Sequence, residues 1–97
     1  MQHSRAREIA GDTLIWLCGS EDLLPVFLAA SGAIAQDLRA ALAATEGPDA
    51  ALSAAALDFV LMQDTTVLDC ARALDLPPEE LAQAQAVLAG QGQRHWT

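Results

Sequence analysis

Lysine and tyrosine are both missing from this 97-residue chain, and its few basic residues are five arginines set against thirteen aspartates and glutamates. The formal charge of −8 repels phosphate backbones and anionic lipid surfaces, and favours solubility and basic partners. The lack of lysine itself reads as a compositional bias rather than as chemistry. Cysteine is also scarce, with Cys18 and Cys70 the only two. Each sits in an apolar helical segment, where a thiol behaves as a small hydrophobe, so neither a disulfide nor a reactive nucleophile is expected. No apolar run approaches the ~20 residues needed to cross a bilayer, and Met1 to Gly11 leads into no signal-peptide core. A cytoplasmic protein that does not engage membranes is the expectation.

The patterns that carry chemistry are missing as well. There is no Cys-x-x-Cys, no phosphate-cradling glycine loop and no nucleophile elbow. His3 and His95 lie in the two terminal segments, outside any zinc or triad spacing. Asp58, Asp64, Asp69 and Asp75 are spread along two helical segments, while Glu21-Asp22 and Glu79-Glu80 stand at helix starts, where the dipole and solvation account for them. Neither a calcium loop nor the paired Glu-x-x-His of a di-iron bundle is found. Ser4, Ser31 and Ser53 have no neighbouring base in sequence. The sequence nominates no catalytic, cofactor-binding or metal residue, calls for no cofactor, and gives no support to an enzyme.

What remains is 53% apolar, mostly Ala and Leu, with Trp16, Phe27, Phe59 and Trp96 as the aromatics. These are strong helix formers, so the expected class is all-α, a compact bundle of five or six helices. The first helix is expected from about Ser4 to Cys18, with Ile9, Thr13, Trp16 and Leu17 on one face and Gly19 at its end. Ser20 is expected to cap a second helix, which faces inward through Leu24, Phe27 and Leu28 and closes at Gly32. A third covers about Ala35 to Ala44 through Leu38 and Leu42. The break Glu46-Gly47-Pro48-Asp49 precedes a fourth, about Asp49 to Met62, whose apolar residues on two sides mark it as the central helix. Asp64 is expected to cap a fifth holding Val67, Leu68, Ala71 and Leu74. Pro77-Pro78-Glu79-Glu80 opens a short last one, with Leu81, Ala84 and Leu88 inward. Residues 1–90 form the expected single domain and 91–97 a flexible tail, in which Trp96 is a linear binding element, a plug for the bundle, or free.

Shifting the chain by 43 residues lays Leu14-Ile15-Trp16-Leu17 over Leu57-Asp58-Phe59-Val60, and Gln36-Asp37-Leu38 over Glu79-Glu80-Leu81. Leu24 then meets Val67 and Ala30 meets Ala73. The pattern divides the bundle into two related three-helix halves that bury their shared faces, with Trp16 and Phe59 in equivalent core sites.

The segment Cys70 to Leu81 has the small residue, apolar residue and turn of a DNA-binding helix-turn-helix. Its second helix opens on Glu79 and Glu80, and only Gln83 and Gln85 have base-reading chemistry, so direct nucleic-acid binding is not expected.

The segments Leu14–Leu17, Leu28–Gly32, Gln36–Arg39, Leu57–Leu61 and Leu76–Leu81 together resemble an uncharacterised bacterial family of short all-helical proteins, a domain of unknown function. The resemblance implies the helical fold and no activity, cofactor or site residue. With no chemistry in view, the expected function is a non-catalytic helical interaction module, taking a protein partner or self-associating. Leu23, Leu24, Leu42, Leu52 and Leu61 are the candidates for an exposed apolar patch. The alternative is a degenerate helix-turn-helix regulator of nucleic-acid-related processes, and a weaker third is a small-ligand pocket between the halves.

Overall fold

The computed structural model describes residues 1–43 and 50–93. Six helices follow one another: α1 (His3–Cys18), α2 (Leu24–Ser31), α3 (Ala35–Ala43), α4 (Ala50–Val60), α5 (Asp64–Leu74) and α6 (Pro78–Gln93). Among the described residues there is no strand. The radius of gyration is 12.8 Å, close to the ~13 Å of a folded domain of about 100 residues.

The expected helix order is realised, while several details differ. α1 is the central helix, not α4. It packs most extensively on α4 and α6, and Ala6, Ile9, Ala10, Gly11, Thr13, Leu14 and Leu17 are all buried along it. The reason is side-chain size. Ala6, Ala10 and Gly11 take little room on this buried face, and Ile9, Leu14 and Leu17 supply its bulk. Trp16 is too large for that seam and stays half-buried. Thr13 tolerates complete burial because its hydroxyl donates to the Ile9 carbonyl at 2.9 Å.

Neither expected capping side chain makes a cap. Residues Glu21 to Leu23 form a turn, and α2 starts at Leu24 with no side-chain cap bond and with Pro25 in its first turn. Asp64 is already helical, preceded by Gln63, and contributes as an acid in the first turn. On α5 the inner face is Thr66, Cys70 and Ala71, whereas Leu68 is 50% exposed. α6 is as long as α1 and reaches Gln93, three residues into the expected tail. Ala44 to Asp49 and the tail from Arg94, with His95 and Trp96, lie outside the described residues.

The 43-residue repeat appears as geometry. Gly32 (φ 77°) and Asp75 (φ 58°) are the left-handed residues among those described, and they are 43 positions apart. Each directly follows a helix, α2 or α5, and a new helix begins three residues later, at Ala35 or Pro78. At the first corner the Gly32 N–H donates to the Leu28 carbonyl. At the second, Leu76 donates to Ala71 and Asp75 to Arg72, a six-residue closure in place of the single five-residue one at Gly32. Beyond the first corner, the Ile34 N–H donates to the Asp37 carboxylate at 3.2 Å. The matching residue of the second half, Pro77, has no N–H to satisfy.

Burial repeats too. Leu14 and Leu57, Leu17 and Val60, Phe27 and Cys70, and Leu38 and Leu81 are all buried pairs at this spacing. Trp16 and Phe59 are equivalent in position, yet both are half-buried and stand at the core's edge rather than within it. Phe59 meets Phe27 edge-on, with ring centroids 5.5 Å apart at 63°, a favoured aromatic geometry.

We expect Leu14→Ala to cost about 2–5 kcal/mol in urea unfolding, as a buried Leu truncation does. The corners give a sharper comparison. Gly32→Ala should cost about 1–2 kcal/mol, because its left-handed φ strains any Cβ. Asp75→Gly should leave stability unchanged or raise it, as measured by the same denaturation midpoints.

Candidate functional site

A cavity of about 780 Å³ opens where α1 of the first half meets α4 and α6 of the second. Helical spacing brings His3, Ser4, Arg7 and Glu8 to it from the first two turns of α1. The buried Ala10 and Gly11 continue the lining. α4 adds Ala51, Ser53 and Ala54, and Leu88 closes it from α6. The lining is thus small and apolar, with polar groups supplied by the start of α1. A smaller cleft of about 140 Å³ adjoins it between α4 and α6 and shares Ala54 and Leu88.

The lining of the larger opening carries one cation and one anion, Arg7 and Glu8. Glu8 is taken up by Arg5, whose Nη1 donates to Oε1 at 2.6 Å. Arg7 has no ion-pair partner among the described residues.

Ser53 is 4% exposed, and its hydroxyl has no hydrogen-bond partner among the described residues. Thr13 solves the same problem by bonding back to its own helix. A buried hydroxyl left unpaired costs about 1–3 kcal/mol, so the Ser53 hydroxyl is open to a further partner. Neither Ser53 nor Arg7 was distinguishable in the sequence. A serine among alanines and an arginine among polar residues carry no signal until the helices pack.

A second feature is the outer face of α2. Pro25, Val26, Ala29 and Ala30 are exposed on one side of it, and among the described helices α2 alone has no charged residue. Val26 is 54% exposed, and Ile34, just past the Gly32 corner, is 58% exposed. The apolar patch expected from leucines is therefore placed elsewhere. Leu23, Leu24, Leu52 and Leu61 are partly buried against the core, and the side chain of Leu42 lies outside the described set.

The other candidates fall as follows. Cys18 is half-buried and Cys70 buried, and both are free thiols. Cys70 donates weakly to the Thr13 hydroxyl, at 3.9 Å. Burial pushes both thiols up, opposed at Cys70 by that hydrogen bond. Asp58 accepts a hydrogen bond from Gln85 at 3.2 Å, joining α4 to α6. Glu79 and Glu80 occupy the first turn of α6, and Gln83 is exposed. No three His, Cys, Asp or Glu side chains among the described residues gather as a metal site would require, and no described helix is long and apolar enough to cross a membrane.

A family model described as "Protein of unknown function (DUF3572)" matches residues 3–91. The chain belongs to that family. The DUF3572 match takes in both corners, the outer face of α2 and every residue named above as lining the cavity, from His3 to Leu88. Neither a curated protein nor a solved structure matches the chain.

In this DUF3572 chain, Cys18 should be alkylated before Cys70 under native conditions, with Cys70 modified only at the rate of unfolding, as followed by mass spectrometry. The folded state holds both thiols protonated more tightly than the unfolded chain does. Their contribution to stability is therefore present below the ordinary thiol range and lost as pH rises through the raised folded values. The urea midpoint should drop across that alkaline window, and less so in Cys70→Ala.

Proposed function

We propose that this protein is a non-catalytic, cytoplasmic helical interaction module, binding a protein partner or a second copy of itself through the outer face of α2. The observation that carries this reading is the absence of charge on that face. In a chain of net charge −8, Pro25, Val26, Ala29 and Ala30 form an exposed helical surface free of acids. Such a surface is costly to leave in water, and burying it against an apolar partner releases about 25 cal/mol for each Å² covered. Glu21 and Asp22 precede α2 and Asp37 follows it in sequence, so the favoured partner carries an apolar patch with basic residues at its rim.

A degenerate helix-turn-helix regulator is the alternative. α5 and α6 have the right order and the right turn, but the acids heading α6 oppose a phosphate backbone. Gln85, one of its two base-reading residues, is already engaged by Asp58. We therefore prefer the interaction module and expect no shift of random duplex DNA at low salt.

Light scattering on the purified protein, with affinity capture from cell extract, tests the main reading. A defined dimer or a specifically retained partner is expected. Val26→Asp should weaken that association at least tenfold while leaving the circular-dichroism melt unchanged, since Val26 is exposed. A strict monomer that retains nothing, or an association indifferent to Val26→Asp, would sink the proposal.

A further inference from the structure

We propose that the cavity between the two halves binds a small amphiphilic carboxylate. Its anionic head is held at the opening by Arg7 and His3, and its apolar body lies on Ala51, Ala54 and Leu88. Three independent observations lead there. The first is size, since about 780 Å³ lies within the ~300–1,000 Å³ range of small-molecule pockets.

The second is charge. Arg7 faces this cavity without an ion-pair partner among the described residues, although acids outnumber bases thirteen to five in the chain. An unpaired guanidinium beside an apolar lining is suited to one carboxylate, which it meets with two parallel hydrogen bonds. Glu8 also lines the cavity but is paired with Arg5, so a single free arginine favours a monoanion over a phosphate dianion.

The third is Ser53, which lines the cavity with its hydroxyl buried and without a partner among the described residues. Buried hydroxyls in folded proteins normally have a hydrogen-bond partner. An oxygen of a ligand seated on the lining, met by a small rotation of the serine side chain, supplies the missing one. The site is separate from the α2 face, so either assignment stands if the other fails.

Sodium octanoate is a suitable probe, titrated at constant ionic strength and followed by amide NMR shifts and calorimetry, with octanol and inorganic phosphate in parallel. Saturable one-to-one binding of octanoate is expected, with shifts centred on Ala10, Gly11, Ser53 and Leu88, and each control at least tenfold weaker. Arg7→Gln should weaken octanoate about tenfold. Ala51→Trp, at an exposed position on the cavity wall, should block it while the thermal melt stays intact. Ser53→Ala should weaken binding and keep or raise the melting temperature, a combination that a purely structural serine would not give. Octanol binding as well as octanoate, shifts confined to α2, or wild-type affinity in both Arg7→Gln and Ala51→Trp would each overturn the assignment.

Discussion

The close seating of α1 on its neighbours is the contact from which the rest of the architecture follows. Ala6 and Ala10 add little side-chain bulk, and Ile9, Leu14 and Leu17 join Leu57 and Val60 in one buried cluster. In a chain of this size, where one core must supply nearly all the stability, a seam of small residues does what larger side chains do in bigger domains. It also explains why the aromatics sit at the edge. Among the described aromatics Phe27 is fully buried, while Trp16 and Phe59 lean on the outside of the packed layer.

The same use of small residues creates the cavity. Near the N-terminal ends of α1 and α4, alanine, glycine and serine line an open space. Space at one end of the seam is the complement of close packing along it. The pocket is thus built into the architecture, and what individualises it is the polar set placed around it: Arg7, His3 and Ser53.

Much of the fold was legible in the sequence because helix order depends on local signals. The alanine and leucine content, the Gly32 end and the Pro77-Pro78 start each act over a few residues, and the repeat was visible as coincident apolar and acidic positions. What escaped depends on packing. That α1 rather than α4 is central follows from which helix carries small residues where neighbours converge. That Thr66 and Cys70 face inward while Leu68 does not follows from how α5 is rotated against α1 and α6. The candidate site was almost illegible. An unpaired hydroxyl or guanidinium is defined by the absence of neighbours, which a linear pattern does not record. Leucines are the residues the core takes up first, which leaves Val26 and Ile34 outside.

The paired corners at Gly32 and Asp75 have a consequence for how the chain tolerates changes in length. Each corner fixes both where one helix stops and where the next begins. A residue inserted inside α2 or α5 has no slack to absorb it before the turn. It would swing everything beyond by about 100° around the helix axis, carrying Leu38 or Leu81 away from the core. Insertions and deletions should then be excluded from α2 and α5 themselves. Within each half the count of residues is as much a part of the design as their identity.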